Sequence, residues 1–325
     1  MRFAFVLNPA ARSGRAARVA LDLQTQARAL GLDASVHLTD APGHGTALAR
    51  EVSREADAVI AVGGDGTVQE VVAGLVGSEA AFGIVPFGTG NDMAHALAMP
   101  TRLGPAMEAL VAGLRSGPRP MDLGRVRWTE DGETIHERIF ANCVGAGFDA
   151  LAAIDALSFK RLGGKTAYLA AVARTLWYWR EIEIEVEIRT TEAGTDAPFG
   201  LEGAGDLFYA GPYFLCEVGN GHSVGGGFLL TPDAVPDDGA LDACLVRPLT
   251  LRRIARVLPL AMKAAHTNEP EISMTRAGRV AIRATLGALP VHADGEALTR
   301  SAQQIDVEVL PGAIRAIWGP GSDRK

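Results

Sequence analysis

A chain of 325 residues with 48% apolar and 21% charged side chains has core material for one large domain or two ordinary ones, and excludes wholesale disorder. The formal net charge of −7 argues against a nucleic-acid binder, and no apolar run approaches the roughly 20 residues that cross a bilayer. Three separated cysteines in apolar surroundings (Cys143, Cys216, Cys244) and seven scattered histidines suit buried thiols rather than a disulfide framework or a zinc site.

The opening run reaches Asn8-Pro9 too soon for a signal peptide and reads as the first strand of a soluble, cytoplasmic protein. Strand and helix signals then alternate: strand "RFAFVL", helix "GRAARVALDLQTQARAL", strand "DASVHL", helix "HGTALAREVSREA", strand "DAVIAV", helix "VQEVVAGLVG", strand "AFGIVPF", and a turn into a helix at "GTGNDMAHAL". Such βα alternation predicts a parallel sheet with helices on both faces and ligands at the carboxyl ends of its strands. Around "SGPRPMDLGRV" the pattern changes. Six later segments read as strands, from "ERIFANCVGAGFD" to "QQIDVEVL", with helices only at "GKTAYLAAVARTLWYW" and "TLRRIARVLPLAMKAAH". The expected organisation is an α/β domain over 1–121 and a β-sandwich over 122–310. The segment 311–325 is left open between staying with the second domain and returning to the first.

Glycine motifs need structural context. "GGKT" (163–166) has Phe159 where a P-loop needs glycine, and "GAGFDA" (145–150) lacks an acidic ribose ligand about 20 residues on, so it reads as a tight turn. "GHSVG" (221–225) matches a nucleophile elbow, with Asp237 or Asp238 and then His266 or His292 in lipase order, yet extended, proline-bearing sequence follows in place of a helix. "GGDGT" (63–67) is different, because a strand precedes it and a helix follows, which suits phosphate. Asp65 in its middle is either a local cap or part of the chemistry. "PFGTGND" (86–92) and "NPAARSG" (8–14) come to the same sheet edge, and "HADGE" (292–296) offers two carboxylates flanking a glycine.

Taken in order and spacing, "NPAARSG", "GGDGT", "GTGND", "TPDAVPDDG" and "DGE" resemble the diacylglycerol kinase catalytic family, which includes bacterial lipid kinases and is related to the sphingosine kinases. The resemblance spans nearly the whole chain. It implies an NAD kinase- or phosphofructokinase-like nucleotide domain plus a β-sandwich lipid-binding domain, with the active site in the cleft between them. Implied nucleotide contacts are Asn8, Pro9, Ser13, Gly14, Thr39, Gly63, Gly64, Gly66, Thr67, Glu70, Gly88, Thr89, Gly90, Asn91 and Asp92. A Mg²⁺ site maps to Asp238 with the carbonyls of Val235 and Ala240, a donor set that suits a hard cation.

Phosphoryl transfer is mostly positioning and charge neutralisation, and a carboxylate must take the acceptor's proton. Asp294 or Glu296 is expected as base or metal holder and Asp65 as organiser of the metal–phosphate end, with the roles exchangeable. The expected enzyme is an ATP- and Mg²⁺-dependent lipid kinase acting on diacylglycerol-type alcohols first and sphingoid bases second. It would touch the inner membrane face transiently; a homodimer stays open. The rivals are an NAD-kinase-like enzyme, which should carry a different substrate loop, and a non-catalytic nucleotide- or lipid-binding module.

Overall fold

The computed structural model describes residues 1–9, 16–156, 158–159, 164–179, 182–189, 207–225 and 227–321. The chain divides into two units, Met1–Asp122 with Pro311–Lys325, and Leu123–Leu310. In the first unit the order is β1 (Arg2–Leu7), α1 (Ala16–Ala29), β2 (Asp33–Leu38), α2 (His44–Val52), β3 (Ala58–Gly63), α3 (Asp65–Leu75), β4 (Ala81–Pro86), α4 (Asp92–Ala96) and α5 (Leu103–Ser116). The strands lie β2-β1-β3-β4, all parallel. β3 and β4 are buried along their whole length, which is why both read as unbroken apolar runs. Their register pairs Ala58 with Ala81 and Gly63 with Pro86, so their carboxyl ends are level.

Near the chain end, Ala316 pairs with Phe82, and Arg119 lies 4.2 Å over the Trp318 ring. The final segment thus belongs to the first unit. Gly113 makes room for it on α5, since a Cβ there would lie 2.6 Å from Ile317.

The second unit continues with β5 (Arg119–Thr129), β6 (His136–Phe140), β7 (Cys143–Gly147), α6 (Phe148–Ala156), α7 (Gly164–Tyr178), β8 (Ile182–Arg189), β9 (Leu207–Tyr213), β10 (Leu215–Gly219), β11 (Leu241–Val246), α8 (Leu251–Ala261), β12 (Ile272–Ala277), β13 (Arg279–Leu286), β14 (Leu289–Ala293), β15 (Glu296–Ala302) and β16 (Gln304–Ala316). One antiparallel sheet runs β12-β11-β10-β7-β14-β15, and β16, β13, β8 and β9 pair antiparallel in another. Val144, Cys216, Val218 and Leu245 of the first meet Ile184, Val280, Ile282 and Val307 of the second in one buried core, so the two sheets form a sandwich.

Strand alternation sends Gly145, Leu215, Glu217, Cys244 and Val246 to the opposite face, where α6, α7 and α8 cover the sheet. Phe148 stacks on Phe214 there, centroids 4.4 Å apart. α6 is a departure from the expected tight turn at "GAGFDA": β7 ends at Gly147, φ 115°, and the chain turns directly into a helix. Among the described residues no helix is long and apolar enough to cross a membrane.

Gly124 faces Phe140 across the β5–β6 pair, and a Cβ there would lie 1.9 Å from the buried ring. Gly124→Ala should therefore cost about 1–3 kcal/mol through overpacking. The expected result is a melting point several degrees lower that Phe140→Leu partly restores; an unchanged melting point would contradict this packing.

Candidate active site

In the first unit the predicted residues collect at the carboxyl ends of the parallel strands. Asn8 follows β1 and donates its N–H to Val62; Thr39 follows β2 and donates to Leu7. Gly63 and Gly64 end β3 and start α3, whose first turn carries no side-chain cap, so its N–H groups are presented at the strand ends. Close packing explains these glycines. A Cβ on Gly63 would come 2.3 Å from the Thr67 hydroxyl, and one on Gly88 only 2.4 Å from the Gly64 Cα. The two glycine loops therefore touch backbone to backbone.

Asp65 holds them together. One carboxylate oxygen accepts the Asn91 N–H at 2.9 Å and the other the Asp92 N–H at 2.8 Å. A Cβ on Gly90 would fall 2.7 Å from that carboxylate. Asn91, left-handed at φ 58°, closes the second loop on itself: its side chain accepts the Gly88 N–H at 2.9 Å and donates to the Gly88 carbonyl at 3.1 Å. Gly66 lies in the first turn of α3, and Thr89 is exposed at the tip of the second loop. Pro9 stands at the edge of the described residues; Ser13 and Gly14 lie outside them.

Glu70 has a different place from the one expected. Both its oxygens accept backbone N–H groups at the start of α2, Gly43 and Gly45, each at 2.7 Å. That is a helix-capping position rather than one left free for a nucleotide. Glu70→Ala should lower the stability of the ATP-free protein by about 1–2 kcal/mol, read by thermal melting. A raised KM for ATP with an unchanged melting point would instead return Glu70 to direct nucleotide contact.

In the second unit "HADGE" is a two-residue hairpin between β14 and β15, with Asp294 at φ 49° and Gly295 at φ 77°. The Asp294 carboxylate is buried and accepts three backbone N–H groups, from Ala141 and Asn142 at 2.8 Å and Cys143 at 3.0 Å. Burial pushes its carboxyl above the usual carboxylate range, and these three donors offset only part of that. Glu296 is exposed and meets Arg138 at 2.5 Å. In the loop before β11, Asp238 accepts the Ala240 N–H at 3.1 Å and pairs with Arg276 at 2.6 Å, while the Val235 carbonyl accepts the Asp237 N–H at 2.9 Å. Asp242 is pushed up to about 6, first by burial and then by Asp238 and Asp233, against Arg276. Asp238 and Asp242 thus crowd on one arginine, in an oxygen-rich loop of the chemistry that a hard cation takes.

Two family models cover most of the chain: the diacylglycerol kinase catalytic domain over residues 2–126, and the YegS C-terminal NAD kinase beta sandwich-like domain over residues 142–318. The chain belongs to the diacylglycerol kinase family. A diacylglycerol kinase of Mycobacterium tuberculosis is 30% identical over 312 residues, covering 95% of this chain and 93% of the relative. One of Bacillus subtilis is 32% identical over 271 residues, 82% and 80% of the two chains. A crystal structure of a diacylglycerol kinase from Bacillus anthracis matches the fold with a TM-score of 0.72 at 24% identity, covering 98% and 97%.

Other motifs of this kinase resolve too. Val224 and Phe228 form an isolated antiparallel bridge where a nucleophile elbow needs a helix, and His266 Nε2 lies 3.2 Å from the Leu230 carbonyl. Two further features belong to the second unit. One is an apolar cavity of about 70 Å³ between the six-stranded sheet, α7 and α8, whose walls include Phe148, Phe214, Phe228, Ile254 and Val257 and whose polar lining is Asp149 and His266. The other is a buried group of Asp149, Glu217 and His292.

Proposed function

We propose that this lipid kinase transfers the γ-phosphoryl group of ATP to the hydroxyl of a diacylglycerol-type lipid, with a sphingoid base as the second candidate acceptor. The observation that carries the nucleotide half is the pair of touching glycine loops at the ends of β3 and β4. Glycines let a phosphate approach the backbone, and the uncapped start of α3 favours its charge. Asn8, Thr39, Gly63 to Thr67 and Gly88 to Asp92 would line the nucleotide, with Glu70 acting through the loop it caps. Mg²⁺, where bound, neutralises charge on the phosphates; Asp238 with the Val235 and Ala240 carbonyls would hold a structural ion.

For the proton acceptor, the hydrogen-bond pattern favours Glu296 over Asp294. Both Asp294 oxygens already accept backbone N–H groups, which ties the carboxylate to the chain and leaves neither oxygen open to a substrate hydroxyl. Glu296 is exposed, with Arg138 keeping it oriented. In the step, Glu296 takes the hydroxyl proton, the lipid oxygen bonds to the γ-phosphorus, and the bond to the β-phosphate oxygen breaks to release ADP. The cavity bounded by α7 and α8 would receive the end of an acyl chain, with the enzyme working at the inner membrane face. An NAD-kinase-like activity is disfavoured because this cavity is apolar almost throughout.

A panel of lipid alcohols with labelled ATP and Mg²⁺ tests the substrate; no transfer to any of them, or transfer to NAD, would sink the reading. Glu296→Gln should lower kcat about 10²–10⁴-fold at an unchanged melting point. Asp294→Asn, by contrast, sets an amide donor against backbone donors and should lower the melting point. The reverse pattern would make Asp294 the base. Val257→Trp, which fills the cavity, should raise KM for the lipid and leave KM for ATP alone.

A further inference from the structure

The six-stranded sheet carries a row of side chains that the kinase reading does not use. Register places Glu217 of β10 opposite Gly145 of β7, and His292 of β14 opposite the same glycine from the other side. All point to the helix-covered face. Gly145 has no side chain, so a gap opens between Glu217 and His292, and Asp149 from the first turn of α6 reaches into it. A Cβ on Gly145 would lie 1.7 Å from Asp149 Oδ2, 2.3 Å from His292 Nε2 and 2.6 Å from Glu217 Oε2. Three ligand-type atoms thus converge on one point.

Their bonding is incomplete. Asp149 Oδ2 lies 3.0 Å from His292 Nε2, and Glu217 Oε2 lies 3.8 Å from the same nitrogen, too long for a hydrogen bond. Both Glu217 oxygens and Asp149 Oδ1 are buried without a hydrogen-bond partner, and Glu217 is 0% exposed. Two carboxylates and one imidazole leave this buried place short of positive charge even with the imidazole protonated.

We propose that Asp149, Glu217 and His292 bind one divalent cation of the Zn²⁺ or Mn²⁺ type, a structural site separate from the Mg²⁺ used for phosphoryl transfer. The ligand spacing suits it: a tetrahedral site with bonds of about 2.0–2.1 Å has ligand atoms about 3.3 Å apart, between the 3.0 and 3.8 Å found here. An imidazole nitrogen with carboxylate oxygens favours a borderline ion over Mg²⁺ or Ca²⁺. Asp149 also lines the apolar cavity, so one edge of the group adjoins that space. Cys244 is next in the row after Glu217 but is not among the ligand atoms that converge, so the donor set is N/O. Bound there, the cation would tie β7, β10, β14 and α6 together.

The test needs no kinase assay, so it stands or falls apart from the substrate reading. Chelator-stripped protein is dialysed against Zn²⁺ or Mn²⁺ in excess Mg²⁺, and metal content is measured. One ion per chain and a melting point raised by several degrees are expected. Glu217→Gln and His292→Asn should bind at least about tenfold more weakly, while Asp238→Asn should keep the ion. Where a variant does not fold, Co²⁺ added to the wild-type chain gives the second readout: four- or five-coordinate d–d bands are expected. No retained ion with either metal, equal retention in Glu217→Gln, or a Co²⁺ spectrum like that of the free hexaaquo ion would overturn the proposal.

Discussion

The strand-end loops of the first unit depend on one carboxylate bonded to the backbone of a neighbouring loop. Asp65 stands at the start of α3, yet its oxygens accept the N–H groups of Asn91 and Asp92 at the start of α4. An acid among glycines of the kind that receive phosphate looks contradictory only if its charge faces a ligand. Here it is spent on the second loop's amides, each a charge-assisted hydrogen bond. The bonds also draw the loops together until the Gly64 and Gly88 backbones meet, which only glycine at both positions permits. Charge and sterics impose the same arrangement.

The second unit repeats the device. Asp294, at a left-handed turn position, accepts three amides from the 141–143 turn and so fixes the β14–β15 hairpin against the start of β7. A residue fixed so completely is committed to holding its neighbours. Two residues on, Glu296 carries the same functional group with one ionic partner and an open face. Two carboxylates that flank one glycine thus have different surroundings, and the number of N–H donors on each is the difference.

Much of this was legible in the sequence, for physical reasons that also mark where reading stops. β3 and β4 showed as continuous apolar runs because both faces of that sheet are covered. Their glycine breaks located the loops. The hairpin was legible too, since Asp-Gly flanked by strand-like sequence is a strong turn signal, but attention to the carboxylates hid it. α6 was missed because its leading glycines suggested a turn alone. The part played by Glu70 was beyond reach: its partners lie 25 and 27 residues upstream, and only the folded chain brings α2 beside α3.

Glu217 shows the same limit most sharply. In "FLCEVGN" the acid alternates along β10 with the core residues Cys216 and Val218, a pattern that half-buried strands turn to solvent. Helices α6 to α8 cover that face, so a position polar by alternation is buried by tertiary packing. A glycine opposite then removes the side chain that would have separated it from His292. Each fact is ordinary alone. Together they put two acids and an imidazole in one dry gap, where unmatched charge is disfavoured by several kcal/mol per ion in general. A fold that keeps such a row requires something positive in it, and the row's geometry, more than its composition, decides whether a proton or a metal ion meets that requirement.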